Sequence, residues 1–158
     1  MVKSISGSLV AGAAHIGFNA GSSGDEALAD GLTNFGRDLG VIWRLQEDHN
    51  AIWGTESVDE GAQGRIIAKK KTLPVVHALE NAEPSTRREL GNMYAQRVID
   101  PANISHLRDV LDQSGSRQFT EQQIAEHTDS AFSNLDSSGI EPEVATALKS
   151  LVEGSSRS

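Results

Sequence analysis

At 158 residues and 37% hydrophobic content, the chain can close one core without a disulfide or metal staple. It has no cysteine, which excludes disulfides, thiolate metal sites and cysteine nucleophiles and fits a reducing cytoplasm. A formal net charge of -8 and a pI near 5.0 withhold the basic footprint that nucleic acid or an anionic membrane needs, and no stretch is apolar enough to make a transmembrane segment.

The elements follow one another as helices, with no strand-like alternation sustained beyond a few residues, so the expected class is all-α. The first helix is placed at residues 2–18 on Ile5, Leu9, Ala13 and Ile16. Ser4, Ser6, Ser8 and His15 interrupt that run and weigh against a signal peptide. Gly7, Gly12 and Gly17 each cost about 1 kcal/mol of helix propensity, which points to close approach by another helix. A turn at Gly21-Ser22-Ser23-Gly24 leads to a long helix over 25–53. Its apolar stripe is Leu28, Leu32, Phe35, Leu39, Ile42, Leu45 and Ile52, and its polar end carries Glu47 and Asp48.

A polar loop over 54–64 and the basic run Lys69-Lys70-Lys71 precede a helix over 72–79 with Pro74 near its start. Four more helices are expected at 85–98, 104–113, 120–135 and 142–153. Their marks are a capping box at Thr120 and Gln123, stops at Ser114-Gly115 and Ser138-Gly139, and first-turn prolines Pro84 and Pro142. Residues 1–153 read as one domain and 154–158 as a frayed tail. The tryptophans Trp43 and Trp53 are expected in the core or a pocket wall. His49 and His77, each near acids, are more common by chance than as metal ligands.

Residues 35–54, Phe-Gly-Arg-Asp-Leu-Gly-Val-Ile-Trp-Arg-Leu-Gln-Glu-Asp-His-Asn-Ala-Ile-Trp-Gly, resemble the second aspartate-rich helix of the trans-isoprenyl diphosphate synthases, the polyprenyl synthetase family. Lys3-Ser4 with Ile16-Gly17 is similar to that family's lysine-serine helix, and residues 70–76, Lys-Lys-Thr-Leu-Pro-Val-Val, are similar to its K-K-S-L-P-V-V segment. The resemblance implies a helical bundle of the isoprenoid (terpenoid) synthase type, of which this chain matches the C-terminal half. The N-terminal half of the family carries the first D-D-x-x-D motif.

What the resemblance implies for the site is a set of cations, Lys3, Arg44 and Lys71, against the diphosphate of an isoprenyl diphosphate, and Glu47 with Asp48 as ligands of a weakly held or lost Mg2+. The family's aspartate pair has become Glu47-Asp48, and its preceding glutamine has become Arg44. Near the family's third carboxylate stand Gly64 and Arg65, and Asp59-Glu60-Gly61 replaces its loop lysine. Ionising an allylic diphosphate needs magnesium held by carboxylates on both walls of the cavity. One degenerate wall implies prenyl transfer only with a partner that supplies the first motif, as a homo- or hetero-oligomer. A regulatory subunit without activity, or a helical domain that binds an apolar ligand, stays open beside that reading.

Overall fold

The computed structural model describes residues 10–12, 25–54, 72–95 and 103–155, all in helices or the short turns between them. The expected first helix, apart from 10–12, the turn at 21–24, the loop after Gly54 and the lysine run lie outside the described residues. Helix α1 is Glu26–Trp53, α2 Leu73–Asn81, α3 Pro84–Ala95, α4 Ile104–Gln113, α5 Ser116–Ser137 and α6 Pro142–Ser155. The chain falls into two compact units: Met1–Gln46 with Ile124–Ser158, and Glu47–Gln123.

Local chemistry sets the helix ends. Asp25 starts α1 as an N-cap, its Oδ1 accepting the amides of Ala27 at 3.1 Å and Leu28 at 3.2 Å. Between α4 and α5 the chain reverses at Gly115, whose φ of 71° is a conformation glycine reaches without a Cβ penalty. Helix α5 therefore begins at Ser116, a turn earlier than the capping box predicted. Thr120 is fully buried, and its hydroxyl donates to the Ser116 carbonyl at 2.8 Å, a mid-helix bond that leaves it no capping role. Gly139, at φ 74°, makes the reversal into α6, and Pro142 opens that helix in the first turn, where its missing N–H costs nothing. Helix α6 continues to Ser155, two residues past its expected end.

The first unit is built on Phe35, Leu39 and Ile42 of α1, with Ala131 and Leu135 of α5 and Val152 of α6. Two α1 glycines allow close packing. A Cβ at Gly31 would lie 2.3 Å from the Ser138 Cβ, and one at Gly36 would lie 3.1 Å from the Ala11 Cα. Of the three glycines expected to admit a neighbour, Gly12 faces open space and Gly7 and Gly17 lie outside the described residues, so the close approach described is made at Gly36 of the facing helix. Above this core Asp38 gathers one face of α5: His127 Nδ1 at 2.7 Å, Ser130 Oγ at 2.8 Å and Asn134 Nδ2 at 3.2 Å.

The second unit packs Ile52 and Trp53 from the end of α1 against Val75 and Ala78 of α2, Leu90 and Met93 of α3 and Leu107, Val110 and Leu111 of α4. At roughly 1.5–3 kcal/mol for each large apolar side chain removed from water, this cluster is the main source of the unit's stability. Tyr94 packs beside it, and burial pushes its hydroxyl up to about 12.

Candidate functional site

Of the five residues predicted from sequence, Arg44, Glu47 and Asp48 are among the described residues, and Lys3 and Lys71 lie outside them. Arg44 is half-buried on α1 in the first unit. Its neighbour Trp43 is 40% exposed, so of the two tryptophans only Trp53 is a core residue. Helical rotation explains the difference. The stripe Leu39, Ile42 and Leu45 faces inward at three-residue steps, and position 43, about 100° round from Ile42, faces outward.

In the second unit, adjacent positions on the last turns of α1 put the two acids in opposite surroundings. Glu47 is exposed, whereas Asp48 is only 1% exposed. The Asp48 Oδ2 accepts the Leu73 amide at 3.3 Å, at the start of α2, where Thr72 as N-cap makes no side-chain bond of its own. A carboxylate there meets an amide with no intrahelical partner and the positive end of the helix dipole. Asp48 therefore terminates a helix 25 residues away in sequence. Glu47 presents its carboxylate outward, an oxygen donor of the kind magnesium takes from proteins when phosphates and water complete its shell.

Residues from α4 and α5 fasten the end of α1. Trp53 Nε1 donates to Asp112 Oδ1 at 2.8 Å, and Arg108 Nε donates to the Ile52 carbonyl at 2.7 Å. Helix α1 has no basic residue in its last turn, so Arg108 supplies the cation that such a terminus favours. His49 packs against the Trp53 ring at 5.0 Å and pairs through Nε2 with Glu121 Oε1 at 3.2 Å. The Arg117 guanidinium lies 5.9 Å from the Trp53 ring centre and donates to the same Glu121 oxygen at 3.1 Å. Partial burial alone would raise the Glu121 carboxyl, but the bonds and charges of Arg117 and His49 outweigh it and hold it below 4.5.

His77, the other histidine considered for a metal, pairs through Nδ1 with Ser116 Oγ at 3.0 Å and stacks on Phe119 at 4.2 Å. No group of three or more His, Cys, Asp or Glu placed to hold a metal ion occurs among the described residues. Arg108, Asp112, Arg117 and Glu121 went unnoticed in sequence. Only the four-residue step between Arg117 and Glu121 is visible there, since the other ties join residues 56 to 72 positions apart. A surface groove of ≈ 550 Å³ lined by Pro84, Arg87, Arg88, Gly91 and Asn92 includes none of the predicted residues. No helix among the described residues is long and apolar enough to cross a membrane.

Known proteins share both the sequence pattern and the fold. A geranylgeranyl diphosphate synthase of Mycobacterium tuberculosis is 35% identical over 74 residues, which is 46% of this chain and 21% of that protein. A geranylgeranyl pyrophosphate synthase of Corynebacterium glutamicum, crystallised with calcium and isoprenyl diphosphate, superposes with a TM-score of 0.83 and 25% identity over 99% of this chain and 48% of its own. A polyprenyl synthetase of Streptomyces coelicolor gives 0.82 and 24% over 98% and 47%. The chain thus spans about half the length of these structural relatives, and its all-α architecture is that of the isoprenoid synthases. The polyprenyl synthetase profile matches residues 1–112, most of the chain, and with the motif on α1 it establishes that this chain belongs to the polyprenyl synthetase family.

Proposed function

We propose that this chain binds an isoprenyl diphosphate and acts in prenyl transfer only together with a partner polypeptide that supplies the first aspartate-rich motif. The observation that carries the reading is the exposed Glu47 carboxylate on a family helix whose opposite side is core. The family membership and the isoprenyl diphosphate bound by the Corynebacterium relative give the ligand class. Arg44, with Lys3 and Lys71, is the cationic set for the diphosphate. Glu47 and Asp48 are the metal pair. Glu47 offers the outward oxygen, while Asp48, beside it in the sequence, gives one of its oxygens to the Leu73 amide.

Magnesium, when bound, neutralises the leaving diphosphate. The chain's own contribution is to present one carboxylate and to bring cations to the phosphates. The leaving group carries about three negative charges, and a single wall with one outward carboxylate leaves it under-neutralised, which is the physical reason for a partner. The same requirement makes an oligomer the working form, and the cysteine-free, acidic chain suits the cytoplasm.

The test is thermal. Pyrophosphate with magnesium should raise the melting temperature with concentration, by about 2.7 kcal/mol of stability at a hundredfold excess over Kd. Lys71→Ala should shrink the shift and Lys69→Ala should leave it. Absence of any shift, in the parent and in a Glu47→Asp variant, would refute the binding. Labelled elongation product from the purified chain alone would refute dependence on a partner.

A further inference from the structure

The last two turns of α1 are tied down by side chains from far along the second unit. Asp48 bonds the Leu73 amide, His49 pairs with Glu121, the Ile52 carbonyl takes Arg108, and the Trp53 indole donates to Asp112. Only Glu47 and Asn50 stay exposed on this stretch. A helix C-terminus leaves its last carbonyls without intrahelical partners and frays. Here it ends on an arginine and is gripped from two sides. The grip is specific in direction: Glu121 and Asp112 hold rings that project from positions 49 and 53, one helical turn apart, which prevents rotation about the helix axis.

We infer that Glu121 and Asp112 are positioning residues, which hold His49 and Trp53 so that the turn carrying Glu47 presents that carboxylate to a magnesium diphosphate from a fixed backbone position. The inference rests on the diphosphate reading above. The match to the family ends at residue 112, and both Arg117 and Glu121 follow it, so the α5 half of the brace comes from sequence outside the matched stretch. Losing a residue that orients a metal ligand typically weakens affinity by about 10–100-fold, because a ligand that is no longer held must be ordered again at each binding event.

The experiment measures binding of pyrophosphate with magnesium by calorimetry, well below the melting temperature, in the parent, Glu121→Ala and Glu121→Gln. Glu121→Ala removes both bonds, while Glu121→Gln keeps an acceptor oxygen for them. The expected result is affinity weakened by roughly tenfold or more in Glu121→Ala and restored to within about twofold of the parent in Glu121→Gln. Should Glu121→Ala fail to fold, Asp112→Ala breaks the other tie and is read in the same way. A variant that melts earlier yet binds with parental affinity overturns the positioning role and leaves the diphosphate reading standing. A parent that binds no pyrophosphate overturns both.

Discussion

Glu121 accepts from His49 and from Arg117 on the same oxygen, and this concentration of donors keeps its carboxyl below 4.5 in the folded chain. The folded value is depressed relative to the unfolded one, so the contribution to stability is complete above about pH 4.5. It fades as the pH falls through the folded value. Urea denaturation of the parent and of Glu121→Gln should therefore differ most at neutral pH and converge in acid. A gap independent of pH would show that the carboxylate is not depressed. Asp48 makes the contrasting case, a nearly fully buried acid bound to the first amide of α2. Asp48→Ala leaves that part-buried amide unanswered and should cost about 1–3 kcal/mol of unfolding free energy. A loss under about 0.5 kcal/mol, the range of an ordinary surface substitution, would remove its helix-terminating role.

Among the elements, α1 serves both units, with Phe35, Leu39 and Ile42 in one core and Ile52 and Trp53 in the other. Helix α5 is divided likewise, with Ser116 to Gln123 in the second unit and Ile124 onward in the first. The turn before α5 depends on Gly115 at φ 71°, with open space around its Cα. Alanine there meets backbone strain and no clash, so Gly115→Ala should lower stability by about 1–2 kcal/mol without changing the helical circular dichroism spectrum. An unchanged melting temperature would show that the chain reverses by another route. The sequence places the start of α5 at Thr120 and not at Ser116, because Thr120 and Gln123 have the spacing of a capping box. That spacing occurs equally inside a helix, where a threonine hydroxyl turns back to a carbonyl four residues earlier, as Thr120 does to Ser116.

For the whole molecule, the decisive quantity is that this chain spans about half of its structural relatives. The partner proposed above would have to bury part of this chain's surface, and Trp43, at 40% exposure, is a large apolar side chain available for it. Light scattering in dilute buffer should report a dimer or larger, with Trp43→Ser shifting it toward the monomer. A stable monomer in the parent would count against an oligomeric working form. Much of the architecture was legible beforehand. Period-3.6 stripes located α1, and Pro74, Pro84, Pro142, Gly115 and Gly139 punctuated the rest, because these residues act on their own backbone within a turn or two.

By itself, then, the sequence determined the class, the helix order, the family and which positions carry carboxylates and cations: Arg44, Glu47 and Asp48, with Lys3 and Lys71. Each follows from local periodicity, from end-capping chemistry or from a motif whose spacing the fold needs. Only the tertiary structure decided that the adjacent acids diverge, with Glu47 turned outward and Asp48 drawn onto the start of α2. It alone showed that His49 belongs with Glu121, Trp53 with Asp112 and Asp38 with His127. The reason is physical: burial and hydrogen-bond partnership belong to surfaces brought together across dozens of residues, and no helical period in the chain encodes which remote side chain will face a given turn.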